Sequence, residues 1–186
     1  MADETLRPSG VGTFEELKAD PDVDNYLNVD EAAADDDTTL VWWGDDTSWY
    51  EDTYVLPNSG VGAGTINSVT VHHRCKYEGG GSGDQKEARA AIYTHANQYF
   101  GDIEDLTLSW VNYSHAWNVN PNTTDPWTWD EIDGLEAGVG LRADTQKGGS
   151  TYPKCTQVYV VVDYTEAGGG ISIPVVMHHR KMIEVS

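Results

Sequence analysis

The sequence predicts an all-β protein, an antiparallel two-sheet β-sandwich of the jelly-roll kind with one or two short helices. Short runs rich in Val, Tyr, Trp and Thr recur along its 186 residues, and these residue types are enriched in strands. Gly, Asn, Asp and Pro separate the runs, as they do at turns between antiparallel strands. Helical periodicity is scarce, and about eight strands in one domain must pack as two sheets.

The clearest strand is predicted over residues 66–77, where side chains alternate between an inward and an outward row. The inward row is Val69, Val71, His73, Cys75 and Tyr77. Further strands are predicted over 40–43, 49–56, 88–95, 106–117, 139–143, 156–164 and 170–178. Glycine-rich breaks between them indicate turns rather than linkers between domains.

Two short helices are predicted. The first covers residues 13–19. The second starts at Thr128, because Thr128 and Glu131 have capping-box spacing, and it ends near Gly134. We assign residues 1–165 to the sandwich domain and 166–186 to a C-terminal strand or arm. This arm either contacts a neighbouring subunit or forms the last strand of its own sheet.

Charge excludes several classes of partner. The chain has 11 Lys and Arg against 31 Asp and Glu, a net charge of -20, so nucleic acid and anionic membranes are excluded as partners. A halophilic source would explain the acidity, since such a surface stays hydrated in brine. No apolar stretch approaches the roughly 20 residues of a membrane span, and Met1–Glu4 lack signal-peptide features. We therefore expect synthesis in the cytoplasm without membrane insertion.

No catalytic motif is present in the sequence. There is no Gly-x-Ser-x-Gly elbow, no phosphate-binding glycine loop opening a helix and no His-Glu-x-x-His. Carboxylates are abundant, but nothing singles out a pair for glycoside cleavage. We predict that the protein is not an enzyme.

One acidic segment has the spacing of a calcium loop. Oxygen ligands occupy its first, third, fifth, ninth and twelfth positions, which are Asp20, Asp22, Asp24, Asn28 and Glu31. Against calcium, Asn25 stands where the sharp turn wants glycine, and Pro21 is awkward. The alternative is a solvated acidic loop.

The two cysteines, Cys75 and Cys155, each lie on or beside a predicted strand. Two cysteines do not make a disulfide framework. They are either a single buried bridge that closes a long loop or two reduced thiols in the core.

Aromatic residues give the best surface signal. Seven Trp and ten Tyr accompany only two Phe, and Trp and Tyr combine apolar area with a polar group. The candidates for contact with a carbohydrate or a protein partner are Trp42, Trp43, Trp49 and Trp127. Such rings stack on sugars when exposed at loops, or close the core when packed at sheet ends.

Several segments, in order over roughly residues 5 to 165, carry a family resemblance. They are 6–10, 25–26 with 29–31, 35–41, Pro121 with 127–129, 132–141, and 156–164. In these segments the chain resembles virion structural proteins of tailed double-stranded DNA viruses of bacteria and archaea. None of the shared residues is catalytic.

The resemblance implies a jelly-roll or lectin-like sandwich on a virus head or tail, as a capsid decoration, head-tail or tail component. Other virion proteins and further copies of the chain are the implied partners. We expect a non-enzymatic structural protein located in the virion, with symmetric closure of its oligomer. The alternative is an attachment module that binds host surface glycans through its aromatic loops, with calcium as a stabiliser.

Overall fold

Two antiparallel sheets form the protein in a computed structural model, which describes residues 1–21, 23–44, 47–79, 86–143 and 152–168. The strands are β1 (Ala2–Leu6), β2 (Gly10–Glu15), β3 (Lys18–Asp20), β4 (Leu40–Trp42), β5 (Trp49–Val55), β6 (Thr65–Glu78), β7 (Lys86–Thr94), β8 (Asn97–Phe100), β9 (Glu104–Asp105), β10 (Val111–Trp117), β11 (Glu136–Ala143) and β12 (Tyr152–Thr165). The predicted all-β sandwich is confirmed.

Each sheet has six strands among the described residues. Sheet A has the order β10-β6-β12-β4-β3, and β1 also pairs with β12. Sheet B has the order β2-β5-β11-β7-β8, and β9 also pairs with β7. The long strands β6 and β12, with 14 residues each, form the centre of sheet A.

The core lies between the two sheets and follows the predicted alternation. Val71 and Val160 point inward from sheet A, Val139 and Leu141 point inward from sheet B, and all four are fully buried. Period-two patterning therefore hides one row of each central strand, as the sequence of 66–77 indicated. Val, Ile and Leu side chains dominate this layer.

The predicted helix at 13–19 is wrong, because its residues belong to β2 and β3. The carboxylate of Asp52, on β5, accepts hydrogen bonds from the backbone N–H groups of Glu16 (2.7 Å) and Leu17 (2.9 Å). A buried side chain 35 residues away thus fixes the turn between the strands. That contact has no local signal in the sequence.

The second predicted helix is confirmed as α1 (Trp129–Asp133). The Thr128 hydroxyl accepts from the N–H of Glu131, and the Glu131 carboxylate accepts from the N–H of Thr128, which completes the capping box. A 3₁₀ helix also covers Asn25–Asn28. None of the described helices has the length and apolar character of a membrane span.

One predicted strand is shorter than expected, and another lies outside the described residues. The strand predicted over 106–117 begins only at Val111, since the preceding residues form a loop whose Thr107 carbonyl accepts from the N–H of Tyr77. The strand predicted over 170–178 lies outside the described residues, as does the arm from residue 169 onward.

Candidate functional site

A cavity of about 330 Å³ opens on the outer face of sheet A, near the start of β12. Strands β3, β4, β6 and β12 contribute its lining, which is Asp20, Leu40, Trp42, Glu78, Tyr152 and Lys154. Its volume lies within the range of about 300–1,000 Å³ that is usual for small-ligand sites.

Strand register brings these residues together. Trp42 lies opposite Lys18 of β3 on one side and opposite Lys154 of β12 on the other. Opposed residues in a sheet share a face, so both lysines stand on the outer face with the indole. In the same way Tyr152 lies opposite Glu78. Four strands distant in sequence thus place their outward side chains side by side.

Aromatic rings form one wall of the cavity. The rings of Trp42 and Tyr152 meet edge to face, with centroids 5.8 Å apart at 71°. The Lys18 ammonium lies 4.9 Å from the Trp42 ring centre, a cation–π distance. The indole is therefore held in place while part of it remains open to solvent.

Charged groups form the other wall. The Lys154 ammonium pairs with the Glu78 carboxylate, which also pairs with Lys76 at 3.2 Å. The hydrogen bond from Lys154 lowers the pKa of Glu78, so this carboxylate stays ionised at neutral pH. Asp20 is exposed at the end of β3. The cavity thus presents hydrogen-bond acceptors and a donor beside apolar ring faces.

A loop over residues 31–39, here the acidic loop, covers the outer face of sheet A next to the cavity. Asp36 pairs with Arg74 at 2.6 Å, and Asp37 pairs with Lys76 at 2.5 Å. The Trp110 indole N–H also donates to Asp37 at 3.3 Å. Asp36 and Asp37 therefore neutralise two cations of the sheet, and these ion pairs fix the loop on sheet A.

The arrangement suits an amphipathic ligand rich in hydroxyl groups. Ring faces contact apolar C–H surfaces, whereas carboxylates and an ammonium orient hydroxyls. A pyranose ring combines these two surfaces.

Trp42 alone among the four tryptophan candidates lines this cavity. Trp43 is buried and stacks on Tyr50, with ring centroids 3.6 Å apart. Trp127 is also buried, and its indole N–H donates to the Trp117 carbonyl at 3.1 Å. These two side chains close the core in the structure.

Trp49 lies at the start of β5, on the outer face of sheet B. The guanidinium groups of Arg89 and Arg142 lie 4.1 and 4.8 Å from its ring centre. Both arginines are paired, Arg89 with Glu51 and Arg142 with Glu87. Trp49 is thus half-buried in a charged cluster of sheet B, on the opposite side of the sandwich from Trp42.

The predicted calcium ligands are spread along different elements. Asp20 ends β3 and lines the cavity, Asp24 precedes the 3₁₀ helix, and Asn28 ends it in a buried position. Glu31 accepts a hydrogen bond from Thr39 at 2.7 Å, and burial raises its pKa. Asp22 lies outside the described residues. Among the described ones, no three His, Cys, Asp or Glu side chains are grouped to hold a metal.

Asn25 shows what the segment does in the fold. Its buried amide donates to the Leu17 carbonyl at 2.9 Å and to the Asp52 carboxylate at 2.7 Å. Asp52 also accepts from the Tyr54 hydroxyl at 3.0 Å. Burial raises the pKa of Asp52 although four donors surround it. The segment therefore attaches to the core through one buried carboxylate.

Cys75 and Cys155 are free, fully buried thiols. They face each other across the β6–β12 pair. The Cys155 thiol donates to the Gln157 carbonyl at 3.4 Å, next to a register shift that places Thr156 in a bulge.

Sequence reasoning missed most of the cavity lining. Leu40, Glu78, Tyr152 and Lys154 belong to strands or strand ends whose register is invisible in sequence. One signal was available in the sequence. Tyr152 and Lys154 lie two positions apart near the start of a strand, so an aromatic residue and a lysine share one face of that strand.

The sequence matches no protein-family model and no curated protein. Solved structures with a similar chain path include the CBM22-1 xylan-binding domain of Xyn10C from Paenibacillus barcinonensis, with a TM-score of 0.43 and 9% identity over 87% of this chain and 94% of that one. The tripod from the baseplate of bacteriophage Tuc2009 has a TM-score of 0.43 and 11% identity over 88% and 64%.

A third structure is SGBP-B from a xyloglucan utilization locus in Bacteroides uniformis, with a TM-score of 0.41 and 13% identity over 87% of this chain and 45% of that one. Such scores carry no argument about function. The sandwich assignment rests on the two sheets of the chain itself.

Proposed function

We propose that the protein is a non-enzymatic carbohydrate-binding sandwich carried on the surface of a virus particle, and that it binds glycans at the Trp42 cavity. The observation that carries the proposal is the placement of Trp42 and Tyr152 beside Asp20, Glu78 and Lys154. A sugar ring stacks on the indole while its hydroxyls bond to the charged side chains.

The charges favour uncharged or amino sugars over acidic ones. The carboxylates of Asp20 and Glu78 line the cavity, and the Lys154 ammonium is already paired with Glu78. A uronic or sialic acid would bring a third carboxylate to a lining whose one cation, Lys154, is already paired with Glu78. Like charges brought together cost binding free energy.

Electrostatics also support a binding role rather than catalysis. Glycoside hydrolysis needs one carboxyl group whose raised pKa lets it act as an acid. The pKa of Glu78 is lowered. Among the described residues, the carboxyl groups with a raised pKa are those of Glu31, Glu51 and Asp52, and none of the three lines the cavity.

The virion location rests on the sequence resemblance over roughly residues 5 to 165. A passive decoration, head-tail or tail component is therefore the second candidate. In that case the outer face of sheet A contacts another virion protein instead of a glycan. Cryo-microscopy of particles that carry the protein separates the two, because the cavity is open in the first case and covered in the second.

Binding to a panel of neutral, amino and acidic glycans tests the proposal. We expect Trp42→Ala to weaken binding at least tenfold, which is about 1.4 kcal/mol. The matched control is Trp49→Ala, since this indole is also half-buried but lies on the other sheet. Retained binding in Trp42→Ala, or equal losses in both variants, contradicts the Trp42 cavity as the site.

A further inference from the structure

The indole of Trp110 is a second half-buried aromatic ring on the outer face of sheet A. Trp110 directly precedes β10, which pairs with β6. The ammonium of Lys76, on β6, lies 4.8 Å from the centre of the Trp110 ring, a cation–π distance. Lys76 lies opposite Lys154, so it shares the outer face with the lining of the Trp42 cavity. The Trp110 ring therefore lies on the same face of the sheet as Trp42.

Strand register places Trp42 and Trp110 at the two ends of one row of side chains. Lys154 of β12 lies opposite Trp42 on one side and opposite Lys76 of β6 on the other. Lys76 then contacts Trp110 from the neighbouring end of β10. Three strand spacings of about 4.8 Å separate the two indoles, which gives about 14 Å in all. The row therefore crosses the strands and continues outward from the Trp42 cavity.

Ion pairs connect the cavity to Trp110. The Glu78 carboxylate, which lines the cavity, pairs with Lys154 and also with Lys76. Lys76 pairs in turn with Asp37, and this hydrogen bond lowers the pKa of Asp37, so that carboxylate stays ionised at neutral pH. The Glu78 and Asp37 side chains are 51% and 69% exposed. Their oxygens can therefore accept further hydrogen bonds from hydroxyl groups of a ligand.

The Trp110 ring is held in one orientation before any ligand arrives. Its indole N–H donates to Asp37 at 3.3 Å, and the Lys76 ammonium contacts the ring face. Trp42 is held in a similar way, with the Lys18 ammonium 4.9 Å from its ring centre. A ring that is already ordered loses little conformational entropy on binding. Both indoles are therefore suited to stack on a ligand.

We infer that Trp110 is a second stacking position of the glycan site, and that the ligand is an oligosaccharide that reaches from the Trp42 cavity to Trp110 across β12 and β6. This inference rests on the proposed function of the Trp42 cavity. One pyranose ring covers one indole, and a separation of about 14 Å requires several linked rings. The rings in between place their hydroxyls over Glu78 and Asp37. The ligand class is therefore an extended chain rather than a single sugar or a disaccharide.

The competing role for Trp110 is purely structural. The Lys76 side chain is only 9% exposed, so the indole also shields this lysine and helps to hold the acidic loop through Asp37. A purely structural Trp110 contributes to the free energy of unfolding, and its removal affects short and long ligands alike. A stacking Trp110 affects only ligands that are long enough to reach it. The dependence of binding on ligand length therefore separates the two roles.

Calorimetric titration of the full chain with two ligand series tests the inference. The series are β-1,4-linked glucose and β-1,4-linked N-acetylglucosamine, each from the disaccharide to the hexasaccharide. We expect the affinity of the unmodified protein to rise with chain length. Trp110→Ala should weaken hexasaccharide binding about tenfold and leave disaccharide binding unchanged, whereas Trp42→Ala should weaken both. The matched control is Trp49→Ala on sheet B, which should bind every member as the unmodified protein does.

Indole N–H resonances of the unmodified protein give a readout that does not depend on the folding of Trp110→Ala. The hexasaccharide should shift the resonances of Trp42 and Trp110, and the disaccharide only that of Trp42; Trp42→Phe and Trp110→Phe assign the two signals. A Trp110 resonance that stays in place with the hexasaccharide, or equal affinities for short and long chains, overturns the inference while a shifted Trp42 resonance still supports the proposed function. If Trp42→Ala binds as well as the unmodified protein, or if neither series binds, both fail.

Discussion

Cys75 lies directly opposite Cys155 in the antiparallel pair of β6 and β12, and both side chains are fully buried. Opposed residues in such a pair have Cα atoms about 4.5 to 5.5 Å apart, a separation that a disulfide spans. The thiols are free in the structure, and this register allows an oxidant to link them without a change in strand pairing.

We predict that prolonged exposure to oxidised glutathione links Cys75 to Cys155. Burial raises the pKa of Cys75, so little thiolate forms at neutral pH and oxidation is slow. The link closes a loop of about 80 residues, which adds about 4.5 kcal/mol to the free energy of unfolding on the chain-entropy account. Urea unfolding and thiol titration measure both effects. Cys155→Ser is the control, and two titratable thiols in the oxidised, unfolded protein contradict the prediction.

His73 should make the protein less stable in acid. Burial lowers its pKa to about 3, below the ordinary value near 6.5. The unfolded chain therefore takes up a proton first, so the stability from a neutral His73 is complete above pH 6.5 and is lost as the pH falls toward 3. The slope is at most about 1.4 kcal/mol per pH unit.

His73→Leu should remove this dependence. Neither ring nitrogen of His73 bonds to a described atom, so we also expect the variant to gain about 1 kcal/mol at pH 7. Urea unfolding at several pH values from 7 to 4, with the unmodified protein in parallel, gives the difference curve. If the free energy of unfolding depends on pH in the same way in both proteins, His73 is not the source of the acid sensitivity.

Gly138 should not tolerate a side chain. A Cβ atom there would lie 1.8 Å from the Asp52 carbonyl oxygen of the neighbouring strand, a clash with backbone that no rotamer relieves. We expect Gly138→Ala to lower the free energy of unfolding by about 3 kcal/mol. Gly168→Ala is the matched control, because among the described residues no atom beyond its chain neighbours lies within 4 Å of its Cβ position. Equal stabilities of the two variants in urea would contradict the clash.

Calcium binding at residues 20–31 remains a prediction with its own test. The Asn28 and Glu31 side chains each have one buried oxygen without a described hydrogen-bond donor, and such oxygens can coordinate a hard cation. Calcium at a hundred times its Kd should add about 2.7 kcal/mol to the free energy of unfolding. Unfolding with CaCl2 or with EDTA measures this. The controls are MgCl2 in place of CaCl2, and the variant Glu31→Gln in CaCl2. An equal rise in the free energy of unfolding in either control contradicts a calcium site.

Local signals predicted the central strands and α1, because period-two alternation and the Thr128 capping box act within a few residues. They failed at 13–19, where the buried carboxylate of Asp52 decides the conformation from a distant strand. The same limit explains the site. Trp42 was among the candidates. Its neighbour Tyr152 was not, because the pairing of β4 with β12 brings the two rings together and that pairing has no local signal in the sequence.

The acidic loop has a consequence for the behaviour of the protein in salt. Arg74, Lys76 and Lys154 on sheet A are balanced by Asp36, Asp37 and Glu78, so these six side chains together carry no net charge on a chain of net charge -20. Added salt relieves repulsion elsewhere on the molecule but weakens these attractions. We therefore expect brine to stabilise the molecule as a whole while it weakens the ion pairs at the rim of the Trp42 cavity, so that affinity for the proposed ligand and thermal stability change in opposite directions as salt rises.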